Sequence, residues 1–137
     1  RYEIGDLGRW LTESCPCGRA SPRFELLGRY GDTFKVGGML FNGRKFGTIL
    51  SELESFSGEY QLVVEEGERL TLRYSAESGL PEATVRAECL QKYPELGEIV
   101  DFEHTGHFEA RAVPTPGLER TAASGKLKLV IDQRIRA

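Results

Sequence analysis

The sequence predicts an α+β fold: a small antiparallel sheet with helices packed on one face, preceded by a short β-hairpin region. Three observations carry that prediction. Phe46, Ile49, Leu50, Leu53 and Phe56 fall at spacings of three, one, three and three, which is one face of a helix. Tyr60–Glu65 and Leu70–Tyr74 are strand-like runs joined by Glu66-Gly67-Glu68, the pattern of a hairpin. The order helix, strand, strand, helix, strand then fills a chain of 137 residues with 39% hydrophobic content, enough to bury one core.

Each element has a local reason. The first forty residues are short apolar segments, Arg9–Thr12, Arg23–Leu27 and Thr33–Val36, punctuated by Gly, Pro and Ser and therefore read as strands. Asn42 suits a helix N-cap and Gly58 a terminator, so the first helix is expected at about 43 to 56. Pro81 suits the first turn of a second helix, whose apolar side is Ala83, Val85, Ala87, Leu90 and Tyr93 and which Pro94 ends. Ile99–Glu103 and Phe108–Val113 read as further strands. Lys126–Asp132 reads as a last strand with a basic start, after a loop rich in Pro, Gly, Ala and Ser.

Charge and composition bound the function. A net charge of -3 and a pI near 5.5 argue against a general nucleic-acid binder, which needs a basic stripe to neutralise phosphates. No apolar run approaches the roughly 20 residues of a membrane span, and the N-terminus lacks a signal-peptide pattern. The expected setting is cytoplasmic, with no membrane partner and with Cys15, Cys17 and Cys89 as reduced thiols. The abrupt start at Arg1 is expected to reflect a piece of a longer polypeptide.

The segment Gly28–Asn42 concentrates the chemistry. Four glycines in eleven positions let a backbone approach another surface closely, and Arg29, Asp32 and Lys35 are groups used to recognise hydroxyls, carboxylates and phosphates. Two readings stand side by side: a loop that handles an anionic ligand, and a Gly-rich hairpin with solvated charges. Cys15 and Cys17, with His104 and His107 as conceivable partners, invite a metal reading. Their spacing of one falls short of the two to four residues common in zinc sites, so thiols packed in a tight turn are expected and zinc is not.

Three segments carry a resemblance. Tyr2-Glu3-Ile4-Gly5-Asp6-Leu7-Gly8, then Gly28-Arg29-Tyr30-Gly31-Asp32 with Lys35 and Gly38, then Arg120-Thr121-Ala122-Ala123-Ser124-Gly125-Lys126 fall in the order seen in adenylate-forming enzymes. Together they resemble the C-terminal lid domain of an acyl-CoA ligase. The segment Cys15-Pro16-Cys17-Gly18-Arg19-Ala20-Ser21-Pro22-Arg23 is similar to the phenylacetate-CoA ligase branch. On this resemblance, residues 1–27 are the junction with a missing N-terminal adenylation domain and residues 28–137 the lid.

The resemblance implies roles position by position. Asp6 and Arg29 match residues that hold the nucleotide, with Asp6 on the ribose hydroxyls. Lys126 matches the catalytic lysine of adenylation, where an ammonium offsets the repulsion between a carboxylate and the α-phosphate of ATP. Lys35 matches the lysine presented for thioester formation with coenzyme A, and Gly37 and Gly38 would line the pantetheine path. Gly31 stands at the hinge position, where the family usually has Asp or Lys. The implied substrates are ATP with Mg2+, coenzyme A and a small carboxylic acid, an aryl acid such as phenylacetate. The chain alone is expected to be inactive. Two alternatives stay open: loading of an acyl-carrier protein or adenylation without coenzyme A, and, from another class, a stand-alone regulatory module that binds a small metabolite.

Overall fold

The computed structural model describes residues 6–54, 56–101 and 107–134. The chain divides into two compact units, Arg1–Asp32 and Thr33–Ala137. In the first, β1 (Asp6–Leu11) pairs antiparallel with β2 (Arg23–Arg29), with a register shift between Leu7 and Gly8. Trp10 lies opposite Phe24, edge to face at 5.9 Å between ring centroids, and with Leu26 both rings are exposed. Residues 6–8 of the first motif belong to β1, whereas Tyr2–Gly5 lie outside the described residues.

In the second unit, β3 (Thr33–Val36) and β4 (Met39–Asn42) form a hairpin, and β4 falls within what the sequence presented as a loop. Helix α1 follows at Gly43–Ser51. Asn42 caps it as expected, its side-chain oxygen accepting the Arg44 N–H at 3.0 Å. The helix ends at Ser51 rather than 56, and Gly58 does not terminate it. Leu53 and Phe56 still pack against the core, because tight turns from Leu53 N–H to Leu50 and from Phe56 N–H to Leu53 continue the apolar face.

Strands β5 (Tyr60–Glu65) and β6 (Arg69–Ser75) form the expected hairpin. Helix α2 (Glu82–Lys92) buries Val85 and Cys89, four apart, while Ala83 and Ala87 are exposed. Pro94 does not simply end this helix; it opens α3 (Pro94–Asp101). The strand expected from Ile99 is therefore helical as far as Asp101, with Leu96 and Ile99 three apart on the buried face, and the last two positions of that strand lie outside the described residues. β7 spans His107–Val113, and the terminal strand β8 is confined to Val130–Asp132.

The four-stranded sheet has the order β7-β6-β5-β8. Only the central pair is antiparallel; β7 joins β6 and β8 joins β5 in parallel, so the sheet is mixed rather than antiparallel. Leu62, Val64, Leu70, Leu72, Tyr74, Phe108 and Ala110 share one face and meet Phe46, Leu50, Val85, Cys89, Leu96 and Ile99 of the three helices in one core. Phe34, Val36 and Phe41 of the β3–β4 hairpin complete it, with Phe41 5.3 Å from the ring of Tyr93. Gln61 and Val63, which point to the opposite face, are buried too. No described helix is long and apolar enough to cross a membrane.

Candidate functional site

Lys126 is presented by a pinned loop. The chain folds back between Arg120 and Leu127, which form an antiparallel bridge, and the Thr121 N–H donates to the Lys126 carbonyl at 2.8 Å. Within the loop, the Gly125 N–H donates to Thr121 O at 2.9 Å and the Thr121 and Ser124 hydroxyls lie 2.6 Å apart. Gly125 adopts φ +65°, a left-handed conformation that favours glycine. Arg120 donates to the Gly125 carbonyl at 3.3 Å and pairs with Glu59.

The base of this loop is bolted to the sheet by buried Gln61. Its amide nitrogen donates to the carbonyls of Glu119 and Lys128, at 3.2 and 3.0 Å, and its oxygen accepts the Glu119 N–H at 3.1 Å. Lys128 in turn pairs with Glu119 at 2.5 Å. Lys126 itself is exposed and makes no hydrogen bond or ion pair from its ammonium among the described residues. Such an arrangement fixes the backbone while leaving a cation available to an anionic ligand.

Lys35 belongs to a second hairpin. Val36 is paired with Met39, so Gly37 and Gly38 are its two-residue connection, at φ +58° and +77°. Two successive left-handed residues are what a type I′ turn requires, which gives both glycines a structural reason independent of any ligand. Lys35 is exposed between buried Phe34 and Val36, opposite exposed Leu40.

The glycine turn is tethered by two residues that the sequence did not single out. The Gly37 N–H donates to the Glu68 carboxylate, and Glu68 sits at φ +56° in the β5–β6 turn. Arg134 lies 3.8 Å from that carboxylate, donates to the Lys35 carbonyl at 2.7 Å, and grips Asp132 through bonds of 3.0 and 2.9 Å. The Arg134 bond holds the Asp132 carboxyl below its ordinary value despite some desolvation, and the same contact raises Arg134. Glu68 offered no more signal than an acidic turn residue, because its partner is distant in sequence.

Asp6 and Arg29 are brought together as cross-strand partners at the end of the β1–β2 ladder. Asp6 is exposed; the Arg29 backbone closes β2, and its side chain lies outside what the structure describes. Gly31 occupies a 3-10 turn over Tyr30–Asp32, just before the boundary between the two units. Its φ is not left-handed, and a Cβ there would meet no atom within 4 Å. Local sterics therefore do not demand glycine.

Cys15 and Cys17 lie in the loop between β1 and β2, whereas exposed His107 begins β7 in the other unit and His104 lies outside the described residues. Among the described residues, no three His, Cys, Asp or Glu side chains are grouped to hold a metal. The open half of the sheet's outer face carries a cavity of about 550 Å3 lined by Arg69, Arg73, His107, Glu109 and Arg111. Neither Lys35 nor Lys126 lines it.

No known family profile matches the sequence, and no curated protein matches it. Solved structures do match in fold. A 2-hydroxyisobutyryl-CoA ligase in the postadenylation state aligns with a TM-score of 0.62 and 21% identity over 95% of this chain and 28% of that one. The same ligase in an open conformation, in complex with 2-HIB-AMP and CoA, aligns with a TM-score of 0.51 and 23% identity over 93% of this chain and 28% of that one. The chain thus spans 28% of the length of these structures. At such identities the likeness is one of fold, and that fold is the small α+β arrangement of the C-terminal domain of adenylate-forming enzymes.

Proposed function

We propose that this chain is the C-terminal lid of an AMP-forming acid-CoA ligase, with an aryl acid such as phenylacetate as the substrate. The observation that carries the reading is the exposed ammonium of Lys126, held on a loop pinned by Gln61 and Arg120 and free of an anionic partner among the described residues. The likeness in fold to a CoA ligase supports it. The narrower aryl-acid assignment rests on the resemblance of Cys15–Arg23 to one branch of the family.

In this reading Lys126 serves the first half-reaction, in which the acid's carboxylate attacks the α-phosphate of ATP and pyrophosphate leaves. A preorganised cation stabilises the charge that accumulates between the two anions. Asp6, with two acceptor oxygens, binds ribose hydroxyls beside Arg29. Lys35 serves the second half-reaction, in which the thiol of coenzyme A attacks the acyl-adenylate and AMP leaves, and the rigid Gly37-Gly38 turn keeps the approach clear of side chains. Mg2+ would accompany ATP, and no site for it is assigned to this chain's residues. Gly31 is the hinge between the two orientations.

The N-terminal adenylation domain of the same polypeptide supplies the remaining pockets. The exposed Trp10, Phe24 and Leu26 on β1–β2 form an apolar face suited to cover by such a partner. Without it the chain is inactive. The test uses the protein that joins this chain to its adenylation domain, with phenylacetate, ATP and coenzyme A. Lys126→Ala should slow acid-dependent pyrophosphate exchange about a hundredfold to a thousandfold and spare thioester formation from supplied acyl-adenylate. Lys35→Ala should do the reverse. Equal effects of both substitutions on both steps would refute the assignment, and transfer of the acyl group to a carrier protein alone would replace coenzyme A as acceptor.

A further inference from the structure

The loop between β1 and β2 holds two thiols that the ligase chemistry does not use. The Sγ atoms of Cys15 and Cys17 are 2.8 Å apart. Their proximity is imposed by the backbone: the Gly18 N–H donates to the Cys15 carbonyl at 3.0 Å, closing a β-turn with Pro16 and Cys17 at its centre. Proline presets the turn's first central φ, and Gly18 leaves it at φ +81°. The approach to the turn is fixed as well, since the Arg23 guanidinium donates to the carbonyls of Glu13 and Ser14 at 2.9 and 3.1 Å. Cys17 is exposed and Cys15 half-buried, so an oxidant in solution reaches the pair.

We propose that Cys15 and Cys17 form a reversible dithiol–disulfide site, oxidised by low-molecular-weight disulfides of the glutathione type and reduced by the corresponding thiols. Cys17 is the attacking group. Its thiol lies below the ordinary value because the Cys15 side chain, and then the Arg19 backbone, hydrogen-bond to it. The Cys17 thiolate attacks one sulfur of the small disulfide, whose S–S bond breaks and releases one thiol after protonation. A mixed disulfide remains on Cys17. Cys15 then loses its proton and attacks the Cys17 sulfur, forming the Cys15–Cys17 bond and expelling the second small thiol. Two protein thiols are oxidised and one small disulfide is reduced to two thiols.

The ring so formed spans only three residues, so closing it removes little chain entropy and the bond is readily reversed by a reducing pool. Cys89 provides an internal contrast: it is fully buried in α2, and burial pushes its thiol up to about 12. Two thiolates are also only half of a tetrahedral zinc shell, and no third ligand is grouped with them among the described residues.

The experiment equilibrates the intact chain near pH 7 across a series of reduced-to-oxidised glutathione ratios. Thiols are then quenched with acid and alkylated, and the chain is cut after Arg and Lys. The fragment Trp10–Arg19 carries both cysteines and no other. As the ratio becomes more oxidising, this fragment should pass from doubly alkylated to unalkylated and two hydrogen masses lighter, and dithiothreitol should restore it. Cys89 should not respond. Cys15→Ser should stop at a stable glutathione adduct on Cys17, while Cys17→Ser should react about tenfold more slowly or worse. Accumulation of glutathione adducts on the unsubstituted chain, or two alkylatable thiols at every ratio, would overturn the proposal. So would one zinc per chain that protects both thiols until a chelator removes it.

Discussion

Glu68 shows how much of the site depends on single residues in unusual positions. Its left-handed φ of +56° costs a non-glycine residue about 1 kcal/mol, and its carboxylate offsets that by accepting the Gly37 N–H beside Arg134. Glu68→Gly removes the strain and the tether together. Global stability should therefore shift by less than about 1 kcal/mol, while hydrogen exchange at the Gly37 amide accelerates at least about tenfold. Unchanged exchange at Gly37 would show that the tether does not hold the turn. Gly31 is the opposite case, with an ordinary φ and empty space where a Cβ would sit. Gly31→Ala should leave the unfolding free energy of the chain within about 0.5 kcal/mol of the parent. If Gly31 is the hinge proposed above, activity of the proposed longer protein should fall although the stability of this chain does not.

At the scale of elements, helix α1 and the Lys126 loop depend on different kinds of support. Asn42 satisfies an orphan N–H at the start of α1, and its own N–H donates to the Tyr93 hydroxyl at 3.1 Å. Asn42→Ala should cost about 1 kcal/mol in urea unfolding with an unchanged slope. Gln61 supports the loop from a buried strand position that the alternating pattern alone cannot distinguish from solvent. Gln61→Leu keeps the volume but takes their side-chain partner from the Lys128 carbonyl and the Glu119 N–H, while the Glu119 carbonyl keeps the Lys128 N–H, which should cost about 2 kcal/mol. It should also speed exchange at the Thr121 amide, because the loop base is released. If the Thr121 amide is unaffected, Arg120 and the internal bonds suffice to hold Lys126.

For the whole molecule, two carboxylates couple stability to pH. Arg134 holds Asp132 below its ordinary value of 3.8, and the Thr115 N–H with its hydroxyl holds Glu77 below 4.5. Both folded values lie beneath the unfolded ones, so their stabilisation is present above those ordinary values and is lost as pH falls through the depressed ones. The melting temperature should be level from about pH 5 to 8 and fall below about pH 4, and the Asp132→Asn variant should show a shallower acid decline. Glu77 is exposed, which keeps its share small, whereas Asp132 is part-buried against Arg134 and carries the larger one.

The local elements were legible in the sequence because neighbouring residues set them. The helix over Phe46, Ile49 and Leu50, its Asn42 cap and the β5–β6 hairpin each follow from a period or a turn within a dozen residues. The order of Asp6, Lys35 and Lys126 was likewise readable, and it named the residues that the fold leaves exposed. Where the local signal was ambiguous it misled: Ile99 and Val100 read as strand, but with Leu96 and Tyr93 in the core they complete a helical face. Tertiary structure alone decided that β7 and β8 add to the central hairpin in parallel, that Gln61 is buried, and that Arg134 closes on the Lys35 carbonyl 99 residues away. Those contacts require distant segments to be brought together against loop-closure entropy, and the burial that repays it belongs to the whole core rather than to any stretch of sequence.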